Sequence, residues 1–350
     1  MAGLIHPRDL EAWRHWQRSR QPWTRYLKQR SMDLGALIRG SNSGAQIMVT
    51  VGGPHPRVLV CLDSRGPTSV AALLAPIRHL DLQHVAVVSS VSIVDLLPKW
   101  SWTETQCGES EVATLMRSGA VALALGNYLR LGQLAHGTAQ AGRFVTVQHG
   151  LVTPFAPPLA PDTHLLAMSE ADADFWRSGR SDVTTTVVGS QLLWEGGAAP
   201  LATPDPTRPP VFLGQLHGAE LPREVLASTA HEFCLATGAL YRPHPSERDR
   251  RSLAAHAQWE RAGVTIDRTG IPLRELGAPV VSIFSTGVLE AAAAGLPAWV
   301  HLPDPPAWIQ EFWARYGLSS WGGPATPPPG RPEIEPSRAI GALVQEMMDA

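Results

Sequence analysis

The stretch that decides the fold is Ala278–Pro297, APVVSIFSTGVLEAAAAGLP. Val280 to Phe284 is a short apolar run rich in β-branched residues, which predicts a buried parallel strand. Ser285-Thr286-Gly287 ends that run, and the Ala- and Leu-rich segment after it predicts a helix that stops at Gly295. The free N–H groups at the start of such a helix point to the carboxyl edge of the sheet. Phosphate-bearing ligands bind at that edge in α/β proteins.

Four residues of this stretch are candidates for ligand contacts. Ser285 and Thr286 add hydroxyl donors beside Gly287 at the turn, and Glu290 lies one turn into the helix, where it can meet the hydroxyls of a ribose. The alternative is an ordinary helix cap followed by a surface glutamate. Both interpretations stay open for this stretch alone.

A second stretch, Ala239–Pro245 or ALYRPHP, predicts a strand that ends in Arg-Pro-His-Pro. Prolines on both sides of His244 remove ladder hydrogen bonds, which favours a strand end over a strand middle. Arg242 and His244 alternate with a proline and so share one face of the extended chain. Ser246 is expected to open a helix over about 248–262. A cation and an imidazole here suit a nucleotide phosphate, although a rigid turn with a locally bonded histidine is the alternative.

Together these motifs carry a family resemblance. Arg242-Pro243-His244-Pro245, Ser285-Thr286-Gly287 and Glu290 resemble the donor half of GT-B glycosyltransferases that build bacterial surface polysaccharides. The similar groups are polysialyltransferases and sialyltransferases, capsule Kdo transferases and CDP-glycerol polymerases. The resemblance implies an α/β chain with two Rossmann-like, doubly wound parallel-sheet domains facing a cleft. It also implies that His244 and the hydroxyl pair hold the donor phosphate, and that Glu290 holds the ribose.

Composition excludes several other classes of protein. The chain has 350 residues, a net charge of −2 and 44% hydrophobic residues, so we expect two soluble globular domains with no affinity for nucleic acid. Its three cysteines are widely spaced and fit a reducing cytoplasm without disulfides. No apolar leader or membrane-length run is present, so the expected location is cytoplasmic.

The alternation of strand and helix patterns gives the domain organisation. Proline-rich sequence after Gly196 predicts the linker, and PVFLGQ at Pro210 to Gln215 restarts the pattern. The Gly214-Gln215 turn is expected to adjoin the donor site. The predicted parts are an N-terminal extension over 1–50, an acceptor-side domain over 51–195, a linker over 196–210, a donor-binding domain over 211–336 and a terminal helix over 337–350 that packs back on the first domain.

The N-terminal extension combines basic and aromatic residues over residues 6–40. Asp9 predicts the cap of a helix that ends before Pro22, and a second helix is expected to reach about Gly40. Such helices can lie on an anionic membrane surface, which would make the protein peripheral. They can also pack their tryptophans on the first domain, which we favour because leucine and phenylalanine are scarce here.

Two residues of the first domain are candidates for the base that activates the acceptor hydroxyl. His149 lies in Gln148-His149-Gly150, at the end of a predicted strand, and resembles a cleft-facing histidine of the families above. Asp63 also follows a predicted strand and is the rival, since aspartate is a common base in inverting transferases. The acidic pair followed by glycine that marks polysialyltransferases is missing, so the choice between them stays open.

The expected chemistry needs no metal and no cofactor. Histidines and cysteines form no ligand spacing, and Asp172-Ala173-Asp174 is interpreted as the exposed start of a helix. No dinucleotide fingerprint or Walker loop is present. The resemblance implies transfer of a sugar from a nucleotide-activated donor, with CMP as the expected nucleotide, to a glycan or lipid-linked acceptor. The alternatives are a polyol-phosphate transferase, a sugar-nucleotide epimerase and a non-catalytic sugar-nucleotide binding module.

Overall fold

The computed structural model describes residues 3–20, 47–117, 120–198 and 201–350. The chain separates into two compact units: unit 1 contains residues 1–192 and 332–350, and unit 2 contains residues 193–331. The described strands are β1 Ile47–Val51, β2 Val58–Leu62, β3 Val85–Ser89, β4 Thr103–Cys107, β5 Val121–Ala124, β6 Phe144–Val147, β7 His164–Ala167, β8 Thr184–Val187, β9 Val211–Leu213, β10 Leu240–Arg242, β11 Val280–Ser282 and β12 Ala298–Val300. The described α-helices are α1 Leu10–Arg20, α2 Pro67–Leu73, α3 Glu109–Arg117, α4 Arg130–Thr138, α5 Glu170–Arg177, α6 Gln191–Gly196, α7 Arg223–Thr237, α8 Arg250–Arg261, α9 Thr286–Ala293, α10 Ala307–Arg315 and α11 Pro336–Asp349.

The sheet of unit 1 has eight strands in the order β4-β1-β3-β2-β5-β6-β7-β8. From β3 to β8 the neighbours are parallel, and β2, β3, β5 and β6 are apolar and fully buried, as strands covered on both faces must be. The predicted α/β architecture with Rossmann-like units is confirmed. An all-parallel first sheet is wrong, because β1 runs antiparallel to both β3 and β4.

The terminal helix α11 belongs to unit 1. Ile340, Val344 and Met348 lie in the same apolar cluster as the buried side chains of β2 and β3. The last turn of α11 is held by two arginines that precede strands: Arg57 donates to the carbonyl of Met348, and Arg143 donates to the carbonyl of Met347. Cations at a helix C-terminus satisfy its open carbonyls and favour its dipole.

Residues 3–20 pack on unit 1. Trp13 is buried, donates from Nε1 to the carbonyl of Phe155 at 2.8 Å, and meets the ring of Tyr128 edge-on. Trp16 stacks on Phe155 with ring centroids 5.0 Å apart. The predicted cap is present, since Asp9 Oδ1 accepts from the amide of residue 12 at 2.8 Å. The second predicted helix, toward residue 40, lies outside the described residues.

The sheet of unit 2 is parallel, in the order β10-β9-β11-β12. Single parallel bridges add Ile266 beside β10 and Ser320 beside β12. Numbered along the chain, the six segments therefore lie in the order 3-2-1-4-5-6, which is the Rossmann order. The order reverses between β9 and β11, so the carboxyl ends of these two strands flank the position where this fold binds ligands.

Three local predictions are wrong. The helix after the His-Pro turn starts at Arg250, and Asp249 rather than Ser246 caps it, with its carboxylate accepting from the amides of residues 251 and 252. The segment 264–267 is expected from its sequence to be a further strand, but it forms only the bridge at Ile266. Asp172 is 1% exposed rather than solvated, because its carboxylate accepts from the hydroxyl of the helix cap, Ser169.

None of the helices in residues 3–20, 47–117, 120–198 and 201–350 has the length and apolar character to span a membrane. Within the same ranges, His, Cys, Asp and Glu side chains form no group of three or more that could hold a metal ion.

Candidate functional site

The candidate site lies where the strand order of unit 2 reverses. Gln215 follows β9, and its Oε1 accepts from the hydroxyl of Ser282 at 3.0 Å and from the amide of Phe284 at 3.1 Å. One side chain therefore connects the carboxyl ends of β9 and β11. The turn that contains Gln215 is expected to adjoin the donor site and to contact the ligand, and in the structure the side-chain oxygen of Gln215 holds the ends of β9 and β11 together.

Two histidine rings stack beside the carboxyl ends of β9 and β10. The rings of His217, after β9, and His244, after β10, have centroids 3.8 Å apart and planes inclined by 17°. His244 Nδ1 accepts from the amide of Ser246 at 3.1 Å, so the neutral ring carries its proton on Nε2 and can donate there. The His244 side chain remains accessible to solvent. Desolvation lowers its pKa, and the Glu247 carboxylate opposes that shift.

The start of α9 forms the wall on the β11 side. Ser285 is the N-cap, and its Oγ accepts from the amide of Gly287 at 3.1 Å. A serine that accepts a cap bond still has its own hydroxyl hydrogen to donate. Gly287 is buried, and a Cβ atom there would lie 2.5 Å from Leu213 Cδ1, so glycine lets the helix approach β9. Thr286, the first residue of α9, is partly exposed.

The charge of the Arg242 guanidinium acts on the carboxyl group of Glu290. Burial raises the pKa of Glu290, and the Arg242 guanidinium lowers it in part. Arg242 itself is held in place: it donates to the carbonyl of Ile271, and its Nη1 lies 3.6 Å from Asp267 Oδ2. Glu290 is a half-buried carboxylate one turn into α9, and a carboxylate can accept hydrogen bonds from hydroxyl groups; its contact with a ribose stays a prediction.

In unit 1, Asp63 lies at the corresponding reversal point, between β2 and β5. Its Oδ1 accepts from the amide of Leu131 at 3.0 Å, and its Oδ2 accepts from the amide of Gly132 at 3.4 Å. Both amides belong to the first turn of α4. Burial raises the pKa of Asp63, while these two bonds and Arg130 lower it. The carboxylate predicted as a rival base is thus a tie between a strand end and a helix start.

His149 follows β6 in unit 1 and lies beside a cavity with room for about one water molecule, which Thr68, Ser190 and Gln191 also line. Among the described residues, no group hydrogen-bonds its buried Nδ1 atom. Desolvation lowers the pKa of His149 to about 4, so the ring is neutral at pH 7. Its neighbour Gln148 donates to the carbonyl of Gly150 and accepts from the amide after β7, which fixes the turn. A neutral imidazole with an open nitrogen can accept a proton.

Sequence reasoning missed two residues of the unit 2 site. From the sequence, His217 belongs only to the turn expected to adjoin the donor site, and Glu247 belongs only to the first turn of the helix expected after Ser246. His217 instead stacks on His244, and the Glu247 side chain is fully buried. A signal was present for Glu247: it follows a proline-locked turn and precedes Asp249, which can cap a helix as well as Ser246 can, so a helical position of Glu247 was not required.

Neither a protein-family model nor a curated protein sequence matches the chain. Among solved structures, the chain is similar to a mutant O-GlcNAc transferase from Thermobaculum terrenum, with 14% identity and a TM-score of 0.43 over 85% of this chain and 63% of that one. The chain thus spans less than two thirds of the length of that transferase.

Proposed function

We propose that the chain is a glycosyltransferase that moves a sugar from a nucleotide-activated donor, with CMP as the preferred nucleotide, to a glycan or lipid-linked acceptor of a cell-surface polysaccharide. The observation that carries the proposal is the position of several polar groups on the carboxyl edge of the unit 2 sheet, beside its Rossmann reversal point. The His217–His244 pair, the Ser285-capped start of α9 and the half-buried Glu290 all lie on this one edge.

Each group has a role in this proposal. The donor phosphate meets the positive end of α9 and the Nε2 proton of His244, and Glu290 accepts from the ribose hydroxyls. His149 is the proposed base that takes the proton of the acceptor hydroxyl. The acceptor oxygen then bonds to the anomeric carbon as the bond from that carbon to the phosphate oxygen breaks. The bonding electrons go to the phosphate, whose growing charge the donors of unit 2 stabilise.

A thermal-shift panel of CMP, CDP, UDP, GDP and dTDP tests the proposal. A ligand at 100 times its dissociation constant stabilises the native state by about 2.7 kcal/mol, so a binding nucleotide raises the melting temperature measurably. His244→Ala should lose most of that response. His55→Ala, which changes an exposed histidine of unit 1, is the matched control and should keep it. A wild-type protein that responds to none of the five nucleotides contradicts the proposal.

Turnover separates the remaining candidates. A transferase releases nucleotide only when an acceptor is present, an epimerase converts its substrate without one, and a polyol-phosphate transferase consumes CDP-glycerol. A binding module responds in the thermal-shift panel but releases no nucleotide with any acceptor. Donor mixtures incubated with and without bacterial surface glycans, followed by chromatography of the nucleotides, distinguish these outcomes.

A further inference from the structure

Glu247 is a buried carboxylate that four donors surround. Its Oε1 accepts from the amide of Leu216 at 3.0 Å and from the amide of His244 at 3.3 Å. Its Oε2 accepts from the hydroxyl of Tyr241 at 2.9 Å and lies 3.0 Å from His256 Nε2. The exposed fraction of the Glu247 side chain is 0%. These partners come from the turns after β9 and β10, from β10 itself and from α8.

The Oε1 atom joins the two turns that carry the stacked rings. Leu216 immediately precedes His217, and the other bonded amide belongs to His244 itself. Backbone amides only donate, so an acceptor between them is required to satisfy both. The fit is tight: a Cβ atom at Gly214 would lie 2.7 Å from this same oxygen, so glycine is required there.

Stability alone does not account for a carboxylate at this position. Burial of a charge costs several kcal/mol, and a well-packed apolar side chain of similar volume often serves the fold as well or better. The same turn is also held from the other side, because Arg223 donates to the carbonyl of Leu216 and, at 3.0 Å, to the hydroxyl of Ser252. A turn that is fixed at both its amide and its carbonyl has a defined position. This position determines where the backbone of the next residue, His217, lies.

We propose that Glu247 is a positioning residue that holds His217 and His244 as one stacked pair, and that this pair, rather than His244 alone, meets the phosphate of the ligand. The ligand part of this inference rests on the proposed function. The positioning part rests only on the bonds of Glu247. The ligand class is a phosphate or diphosphate group, which the Nε2 proton of His244 can bind.

NMR titration of the histidine rings distinguishes a positioning role of Glu247 from a purely electrostatic effect of its charge on the pKa of His244. Removal of the negative charge alone must lower the pKa of His244 further, because Glu247 now raises it. Release of the ring from its stacked, partly desolvated position must instead raise the pKa toward the ordinary value. Glu247→Gln keeps an oxygen for the two amides, and its NH₂ group faces Tyr241 and His256, each of which can accept. We therefore expect a lower His244 pKa in Glu247→Gln and a higher one in Glu247→Leu.

Inorganic pyrophosphate is the probe for the ligand part. In wild type it should shift the ring signals of His217 and His244 together. Glu247→Leu should weaken its binding by about 10- to 100-fold, the value of one charge-assisted hydrogen bond, and Glu247→Gln by less than about threefold. A wild-type protein without this response contradicts the phosphate part and the proposed function, while the ring titrations still decide the role of Glu247.

Tyr241→Phe is the matched control, because it removes one donor to Oε2 and leaves both Oε1 bonds in place. It should lower the melting temperature without a rise in the His244 pKa or a loss of pyrophosphate binding. If Glu247→Leu does not fold, Glu247→Asp replaces it: this variant keeps the charge but is too short to reach all four donors, so the His244 pKa should still rise. A pKa of His244 that falls in Glu247→Leu, or that is unchanged in Glu247→Asp, overturns the proposal.

Discussion

Replacement of Asp63 tests whether the residue after β2 is a structural tie or a base. Its carboxylate holds the amides of Leu131 and Gly132, at 3.0 and 3.4 Å, in the first turn of α4. Asp63→Ala removes both acceptors. Loss of a helix-cap acceptor costs about 1 kcal/mol, and the second, longer bond adds somewhat less, so we expect a destabilisation of about 1.5–2 kcal/mol. Asp63→Asn keeps a carbonyl oxygen for one amide and should cost less than about 1 kcal/mol.

Thermal unfolding and hydrogen exchange measure these effects. For a unit of this size, 1 kcal/mol corresponds to roughly 2–4 °C, so the melting temperature of unit 1 should fall by about 3–8 °C in Asp63→Ala. The amides of α4, Arg130–Thr138, should exchange faster in the same variant. Asp63→Asn should remain close to wild type in both measurements and, under the proposed function, should keep its turnover.

The tie would be refuted by an Asp63→Ala variant whose melting temperature and exchange at α4 both match wild type. The assignment of the base would be reversed by a different result. If Asp63→Asn is stable but loses turnover by about 10²–10⁴, the usual contribution of a general base, then Asp63 is the base and His149 only shapes the cavity beside it.

Three further predictions follow from other parts of the structure. His149→Ala should keep nucleotide affinity and lower turnover by about 10²–10⁴. The pKa of His149 is depressed to about 4, so its contribution to stability is present above its ordinary pKa and is lost as the pH falls toward 4; urea midpoints at pH 7.5 and 4.5 should therefore differ less in His149→Ala than in wild type. Glu290→Ala should weaken nucleotide binding by about 1–3 kcal/mol in calorimetry while the melting temperature without ligand changes little; unchanged affinity would remove Glu290 from the site. Trp16→Ala removes the stack on Phe155 and should speed proteolysis within residues 3–20, whereas salt-sensitive co-sedimentation of wild type with anionic vesicles, lost in this variant, would favour the membrane-surface interpretation.

Local signals made the decisive stretch predictable. The apolar run predicted over 280–284 forms β11 at Val280–Ser282, and the helix after it is α9 at Thr286–Ala293, with Ser285 as its cap. A β-branched run and a hydroxyl cap act within a few residues of their own position, so the sequence carries them directly. The strand β4, TETQC, carries no such signal, because it is an exposed edge strand whose order comes from backbone pairing with β1. Pairing of this kind is tertiary and leaves no periodicity in the sequence.

The candidate site was predictable to the level of its motifs but not of their contacts. The Arg-Pro-His-Pro turn and the Ser-Thr-Gly turn were each identified, and the strand order of unit 2 places them on one sheet edge. The stacking of His217 on His244 could not be predicted, because the two residues are separated by the whole of α7 and β10. The sequence left a non-helical position of Glu247 open, but its burial could not be predicted, since a lone glutamate in a polar segment is ordinarily solvated.

Both units use a polar side chain to bridge the point where the strand order reverses. In unit 1 Asp63 reaches from the end of β2 to the start of α4, which follows β5. In unit 2 Gln215 reaches from the end of β9 to the end of β11. A reversal point opens a crevice because the chain leaves the sheet in opposite directions on its two sides, so no crossover helix covers it. The two sides of that crevice are then joined only by direct contacts, and a side chain that accepts two hydrogen bonds supplies such a contact. Polar residues at strand ends therefore have one of two roles. Some hold the two strand ends together, and others remain available to bind a ligand. By this criterion Asp63 and Gln215 hold the crevice, whereas the Nε2 proton of His244 stays available for the ligand role that we propose for it.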